Sequence, residues 1–394
     1  MRAARADVDL DAVAHNVAAL REAAEGSLVC AVVKADGYGH GAIAVSEAAV
    51  AAGADWLAVA LVEEAAVLRK SGIQAPILLL SQPRLSDLDA AVHYDLRVCV
   101  HASDAVAVLA DEARAAGKVA RVHLKVDTGM NRVGVAPADA LAVARDIVER
   151  PELLLEGVFT HCAVADEPDN PFTDVQLDRF EAVLDQLADA GIHPDLRHAA
   201  NSATAIVHRR GRYDMIRAGI AVYGIAPAPG LGAELDLQPA LSLRAEVSMV
   251  KRVPAGEGVS YGLRHVTERE TTVATVPIGY ADGVPRRLGL TGGTVLVGGR
   301  RRPIIGVVTM DQLMVDCGDD PVDVGDDVVL IGRQGDEVIT AEDWADQLDT
   351  IAYEVVCGIG PRVPRHYTSR PDPDDTSVLD LSDPEAPVPT GPVP

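Results

Sequence analysis

Short apolar runs alternate with amphipathic, alanine-rich stretches from residue 29 to about residue 220. The apolar runs lack alternating polar positions, which predicts strands buried on both faces, as in a parallel sheet. Stretches such as "LVEEAAVLRKSG" and "DVQLDRFEAVLDQLADAG" have helical periodicity and end on glycine, a common helix terminator. The predicted strands are residues 29–33, 56–60, 76–80, 96–100, 120–126, 153–160, 196–200 and 213–217.

Eight strand–helix units within about 200 residues predict an α/β fold, a (β/α)8 TIM barrel over residues 1–236, with a doubly wound open sheet as the alternative. The pattern changes after about residue 240, where β-type segments with Gly and Pro turns replace the helical stretches. They predict a separate, mainly β domain over residues 237–369. Proline and acidic residues dominate residues 370–394, which predicts a disordered tail.

Composition excludes several classes of protein. The 394 residues carry a net charge of −24, which disfavours nucleic acid or an anionic membrane as partner, because phosphate neutralisation needs a basic surface. No apolar run reaches the roughly 18 residues of a membrane span, and the first residues lack the apolar core of a signal peptide. The five cysteines include no CxxC pair, which predicts reduced thiols in a cytoplasm and no metal site.

The stretch "AVVKADGYGHGA", residues 31–42, ends an apolar run on Lys34, one of five lysines in the chain. Its glycines do not form GxGxxG, and no G-K-[ST] follows, so neither the dinucleotide nor the P-loop fingerprint is met. A lysine at a strand end is most often a surface residue, but barrel active sites lie at the C-terminal ends of the strands. The other polar residues that follow predicted strands should converge on the same mouth: Lys125, Asp127, His161, Asn201, Ser202, Arg217 and Gly219.

Ser202, at a predicted helix start, and Gly219, in the "RAGI" turn, are candidates for a phosphate site. A lysine in an apolar wall that faces a phosphate predicts a Schiff base, because burial and nearby cations lower the pKa of the amine. These residues leave two chemistries open. One is an aldolase that uses the phosphate of its substrate, and the other is a pyridoxal-phosphate enzyme whose cofactor supplies the phosphate and the electron sink.

Longer motifs resemble the alanine racemase family between about residues 5 and 367. They are "AVVKADGYGHGA", "HLKVDTGMNRVGV", "HAANSATA", "MIRAGIAVYGI", "GVSYG", "PIGYADGVPR", "GVVTMDQLMVD" and "RVPRHY". The resemblance implies a fold-type III enzyme, a barrel followed by a β domain, that interconverts L- and D-alanine by a two-base mechanism on a pyridoxal-phosphate aldimine. It also implies a role in peptidoglycan synthesis and a homodimer whose subunits share their active sites.

The resemblance carries roles to individual residues. Lys34 is similar to the lysine that holds pyridoxal phosphate and acts as one base, and Tyr261 to the base on the opposite face. Arg217 resembles the arginine that faces the pyridine nitrogen, and the remaining cofactor-binding set is Tyr38, His161, Ser202, Gly219, Ile220 and Tyr353. Arg132 matches the residue that binds the substrate carboxylate, and the other substrate residues are Tyr280, Met310 and Asp311.

Four departures from the family pattern near the site leave the substrate range open. They are Cys162, Ala218, Thr309 and the stretch "LRHVTERET" that follows "VSYG". Lys125 matches a lysine that is carbamylated in some members, and an ordinary lysine paired with Asp127 is the alternative. The competing functions are a racemase of broader specificity, a fold-type III decarboxylase and a non-catalytic pyridoxal-phosphate carrier. The "MDQ" and "GYADG" motifs favour a racemase, and a β domain with Tyr261 disfavours the carrier.

Overall fold

The computed structural model describes residues 4–369. The predicted tail, residues 370–394, lies outside the described residues. Among the residues that are described, none of the helices combines the length and hydropathy that crossing a membrane requires.

Eight parallel strands, β2 to β9, form the first part of the fold. They make two four-stranded sheets, β4-β3-β2-β9 and β5-β6-β7-β8. A bridge between Leu78 and Arg97 joins the sheets on one side, and Arg217 N donates to Ala200 O (2.9 Å) on the other. The strands therefore close into the predicted barrel, which excludes the open sheet. Strand β1 (Arg5–Asp9) precedes the barrel in the chain. The eight barrel strands are β2 (Leu28–Val32), β3 (Trp56–Val59), β4 (Ile77–Leu79), β5 (Val98–Val100), β6 (Ala120–Lys125), β7 (Leu153–Phe159), β8 (Leu196–His198) and β9 (Met215–Ala218).

Helices surround the barrel and pack apolar residues against it. In the longest of them, α8, Leu177, Phe180, Val183 and Leu187 recur at helical spacing and are buried. The barrel helices are α1 (Leu10–Ala23), α2 (Lys34–Tyr38), α3 (Ala42–Ala51), α4 (Val62–Lys70), α5 (Leu88–His93), α6 (Ser103–Ala115), α7 (Ala140–Val148), α8 (Phe172–Asp189) and α9 (Ser202–Val207).

The second part of the chain is mainly β, as the sequence predicts. Its large sheet has the strand order β11-β14-β17-β16-β15-β18-β10-β1-β20, with β19 paired to β18. Strands β12 and β13 form a separate two-stranded sheet. Its elements are β10 (Leu241–Glu246), β11 (Met249–Val253), β12 (Gly258–Val259), β13 (His265–Val266), β14 (Thr271–Val276), β15 (Thr294–Val297), β16 (Arg300–Ile305), β17 (Leu313–Gly318), β18 (Asp327–Gln334), β19 (Glu337–Ile339), α10 (Ala341–Leu348), α11 (Ala352–Cys357) and β20 (Arg365–Thr368).

Strand β1 belongs to this large sheet although it precedes the barrel in the chain. It pairs antiparallel with β10 and parallel with β20, and buries Ala6 and Val8. The sheet thus joins the beginning of the described chain to its end. The boundary between two domains at residue 236 stays a prediction.

Helix α11 brings the second part of the chain over the barrel mouth. It packs against α2, where a Cβ on Gly39 would collide with the carbonyl oxygen of Val356. Nε of Arg365 donates to the carbonyl oxygen of Gly39 (3.0 Å) from the adjoining strand β20. Gly39 has a φ of +80°, so the position demands both the conformational freedom and the small size of glycine.

Candidate active site

Lys34 leaves the barrel wall at the end of β2 and begins an unusual turn. The next four residues, Ala35 to Tyr38, have φ values from 51° to 61°, so α2 is a left-handed turn. The turn is held from both sides, because Glu64 Oε1 accepts from Ala35 N (2.6 Å) and Asp36 Oδ1 accepts from Ala42 N (2.9 Å). These bonds offset the strain of the left-handed backbone and fix the base of the Lys34 side chain.

Cationic side chains surround the Lys34 amine. Burial, followed by the charge of Arg132, lowers the pKa of Lys34 below its ordinary value. Burial also lowers the pKa of His161 well below its ordinary value, and the nearby charges of Arg217, Arg132 and Lys125 act in the same direction. The imidazole is therefore neutral at pH 7, and the mouth is a focus of positive charge in a strongly acidic chain.

Arg217, at the end of β9, is almost fully buried. Its Nη2 donates to the carbonyl oxygens of Thr160 (2.7 Å) and Ala199 (3.0 Å), and its Nη1 donates to Nδ1 of His198 (2.8 Å). Burial lowers the pKa of Arg217 to about 10, so the guanidinium stays charged at neutral pH. A third contact of Nη2, with Nδ1 of His161 (3.3 Å), links the guanidinium to the open mouth.

Lys125, at the end of β6, is 4% exposed. Nζ donates to the carbonyl oxygen of Leu80 (2.8 Å) and lies 5.2 Å from the ring centre of Phe159. Burial lowers the pKa of Lys125 to about 8. Oδ1 of Asp127 accepts from the backbone N–H groups of Gly129 and Asn131. A small cavity beside Lys125 is lined by Val126, Asp127, Met130, Arg132, Val133, Thr160 and His161.

A cradle for an anion lies across the mouth, after β8 and β9. Ser202 Oγ accepts from Gly219 N (2.9 Å), which leaves the hydroxyl hydrogen to donate. Ile220 begins a 3₁₀ turn, so its N–H has no partner within that turn. A Cβ on Gly219 would lie 2.6 Å from the Tyr38 hydroxyl oxygen, so the space depends on glycine. The rings of Tyr38 and Tyr353 are 6.3 Å apart, which adds two hydroxyl groups to the same side.

This donor set fits pyridoxal phosphate. The cradle provides hydroxyl and backbone donors suited to a phosphate, and Arg217 provides a donor suited to a ring nitrogen. The amine of Lys34, with its lowered pKa, suits a bond to a carbonyl carbon.

The remaining predicted residues lie on the second part of the chain. Tyr261 is 75% exposed and lines an open groove whose lining residues all come from the range 248–314. Met310 and Tyr280 are also exposed, and Asp311 Oδ1 accepts from Arg362 Nη2 (2.6 Å). Within the described part of this single chain, none of these four residues makes a hydrogen bond or an ion pair with Lys34 or with the anion cradle.

Sequence reasoning missed the buried residues behind Arg217. His198 contacts Arg217 and His123, and stacks on the Phe159 ring at 4.7 Å. The motif "HLK" could have pointed to His123. His123 and Lys125 are two residues apart on strand β6, so their side chains share one face of the strand.

Proteins of known family resemble this chain in both sequence and structure. A family profile described as "Alanine racemase, N-terminal domain" matches residues 8–227, and "Alanine racemase, C-terminal domain" matches residues 240–367. The chain is 52% identical to the alanine racemase of Symbiobacterium thermophilum, over 93% of this chain and 97% of that protein. The alanine racemase structure from Streptomyces lavendulae has a TM-score of 0.90 at 45% identity, covering 93% of this chain and 97% of its own. A histidine racemase structure from Leuconostoc mesenteroides has a TM-score of 0.86 at 29% identity, covering 94% and 99%.

Proposed function

The chain belongs to the alanine racemase family and is an amino acid racemase, an isomerase, and we propose that it interconverts L- and D-alanine with pyridoxal phosphate as cofactor. The observation that carries the proposal is the mouth of the barrel. There the amine of Lys34, the buried guanidinium of Arg217 and the anion cradle at Ser202 and Gly219 come together.

The proposed cofactor site uses three kinds of contact. Lys34 holds the cofactor covalently, and Arg217 donates to its ring nitrogen. The phosphate is bound by Tyr38, Ser202, Gly219, Ile220 and Tyr353. Bound pyridoxal phosphate supplies the electron sink for the pair left behind when the α-proton of the amino acid departs. Because a guanidinium only donates, Arg217 would leave the ring nitrogen unprotonated, which would limit the sink and disfavour side reactions such as transamination.

Two bases are assigned to the two faces of the α-carbon. Nζ of Lys34 moves the proton on the face of the D-enantiomer, and the hydroxyl of Tyr261 moves it on the face of the L-enantiomer. The lowered pKa of Lys34 supports its role, since it increases the fraction of neutral amine that accepts a proton. Neutral His161 holds Arg217 from the mouth side.

The substrate carboxylate is assigned to Arg132, an exposed cation beside Lys34. Tyr280, Met310 and Asp311 form the substrate side of the site. Lys125 either carries a carbamate that orients Arg132 or remains an amine. A pKa of about 8 supports the carbamate, because only the neutral amine attacks carbon dioxide.

A homodimer completes the site in this proposal. Tyr261, Tyr280 and Met310 are 75%, 42% and 52% exposed in one chain. Large hydrophobic side chains with this exposure are typical of an interaction surface when they lie together. We therefore assign them to the active site of a second copy of the chain.

The proposed product, D-alanine, suggests the pathway in which the enzyme works, and the cysteines bear on its compartment. D-alanine is proposed to serve peptidoglycan synthesis in the cytoplasm. All five cysteines are unpaired, and four of them are buried, which supports a reducing compartment.

Reduction with borohydride tests the covalent assignment. The purified enzyme should lose its visible absorbance and carry a phosphopyridoxyl group on Lys34. Lys70, on the outside of the barrel at the end of α4, is the matched control, and Lys70→Ala should label as the wild type does. A label on any other lysine would overturn the role of Lys34.

Turnover of an amino acid panel tests the substrate. The similarity to a histidine racemase favours one second candidate, a racemase of broader specificity. Alanine should have the highest kcat/KM of the panel. A higher kcat/KM for histidine or another large amino acid would show that alanine is not the preferred substrate.

A further inference from the structure

A row of hydrogen-bonded side chains crosses the barrel behind Arg217. Nη1 of Arg217 contacts Nδ1 of His198 at 2.8 Å, and Nε2 of His198 contacts Nδ1 of His123 at 2.9 Å. Nε2 of His123 then contacts Oε2 of Glu156 at 3.1 Å. Both imidazoles are fully buried, so the row connects the active site to Glu156 without passing through water.

The direction of every bond in this row is determined by its two ends. An arginine guanidinium has only donors, so Nδ1 of His198 must accept and its proton must sit on Nε2. That N–H donates to Nδ1 of His123, whose own proton must then sit on Nε2 and point at the Glu156 carboxylate. Burial lowers the pKa of both imidazoles, which agrees with two neutral rings.

The backbone of β7 is shaped to admit the row. Val122 pairs with Leu155 but His123 pairs with Gly157, so Glu156 is the extra residue of a bulge. A Cβ on Gly157 would collide with Nδ1 of His123, and only glycine leaves room for the ring there. The bulge and the glycine together turn Glu156 toward Nε2 of His123.

Two further cations hold the far end of the row. Glu156 is half-buried and pairs with Nε of Arg121 (3.1 Å) and Nε of Arg97 (3.4 Å). Both arginines lie at the beginnings of barrel strands, on the face opposite the mouth. The two arginines thus direct the carboxylate inward from that face.

We infer that Glu156 is a positioning residue for Arg217, acting through the hydrogen-bonded rings of His123 and His198. The inference deepens the proposed function and rests on it for the role of Arg217. A fixed lone pair on His198 Nδ1 holds Nη1 of Arg217 in one orientation. Without the Glu156 carboxylate the buried Nε2–H of His123 loses its acceptor, so both rings are free to shift and Arg217 loses a fixed partner.

Nitrogen-15 NMR of the histidine rings in the full-length protein tests the tautomers directly. His123 and His198 should both be neutral with the proton on Nε2, each identified by the signal lost in His123→Gln and His198→Gln. A proton on Nδ1 of either ring, or an imidazolium, would overturn the inference. This measurement does not depend on alanine turnover, whose absence in the wild type would instead contradict the proposed function.

Paired substitutions test the connection to Arg217. Glu156→Leu, which removes the acceptor, should lower kcat on the order of 10-fold with little change in KM, and should shift the absorbance band of the bound cofactor. Glu152→Leu is the matched control, because Glu152 pairs with Arg114 at the surface, and it should change neither. In a His123→Phe background, Glu156→Leu should have no further effect, since the row is already broken. Additive losses, or an unshifted band in Glu156→Leu, would contradict the inference.

Discussion

Lys34 and Lys125 show how the barrel makes reactive amines at the scale of single residues. Each amine lies at the end of an apolar strand, and burial is the main cause of its lowered pKa. Their surroundings differ, because Lys125 donates to the carbonyl oxygen of Leu80 whereas Lys34 stands at the start of a left-handed turn. The contrast supports a reactive role for Lys34 and an orienting role for Lys125.

The pKa of Lys125 predicts a specific pH dependence of stability. The group binds its proton more weakly in the folded state, with a pKa of about 8 against a usual 10.5, so the unfolded state holds more protons between these values. The unfolding free energy of the wild type should therefore rise relative to Lys125→Met as the pH increases from 8 to 10.5. The gain should reach roughly 3 kcal/mol in carbonate-free buffer. Parallel pH curves in chemical denaturation would contradict the pKa assigned to Lys125.

The mouth residues were predictable because strand ends are visible in the sequence. Lys34, Ser202 and Arg217 each follow an apolar run, and parallel strands bring such positions together. Glu156 was not predictable in this way. Its place beside His123 depends on a bulge in β7, and nothing in "LLLEGVF" marks where the register shifts.

At the scale of elements, the contact between α2 and α11 connects the two parts of the chain. The glycines of "ADGYGHG" serve this contact and the left-handed turn. A Cβ on Gly39 would collide with α11, and one on Gly41 would collide with the hydroxyl oxygen of Tyr367. The same contact places Tyr353, on α11, beside Tyr38.

Gly39→Ala should weaken this contact. The added methyl group must displace the backbone of α11, so the substitution should cost at least about 1 kcal/mol more than backbone strain alone. Gly26→Ala is the matched control, since Gly26 has a φ of +100° and nothing within 4 Å of a Cβ. Denaturation and cofactor titration should show Gly39→Ala as the less stable variant, and the only one with weaker cofactor binding. Equal behaviour of the two variants would show that α11 does not depend on Gly39.

Elements of the second part were harder to predict than the barrel strands. Helices α10 and α11 have only eight and six residues, too few for a periodic pattern to stand out. Strand β1 has a clear alternation, but its partners β10 and β20 lie more than 200 residues away along the chain, so its sheet is invisible to local patterns.

At the scale of the whole molecule, the first and last strands of the described chain pair with each other. Strand β20 pairs with β1, and Arg365 reaches from β20 to the carbonyl oxygen of Gly39 at the mouth. Residues 370–394 lie outside the described residues, and no role is assigned to them.

Two truncations test this boundary. A chain that ends at residue 369 should racemise alanine at the rate of the full-length protein. A chain that ends at residue 364 should lose activity and stability, because it lacks β20 and the Arg365 contacts. Activity is measured as the rate of D-alanine formation. If the chain that ends at residue 369 is inactive, the tail has a function.

The two-base proposal requires both parts of the molecule, and one measurement tests it most directly. Incorporation of solvent deuterium at the α-carbon should be followed for L- and D-alanine separately in Tyr261→Phe. Lys34 remains, so exchange from D-alanine should persist, whereas exchange from L-alanine should fall by about 10²- to 10⁴-fold. Equal loss from both enantiomers would contradict the assignment of one base to each face.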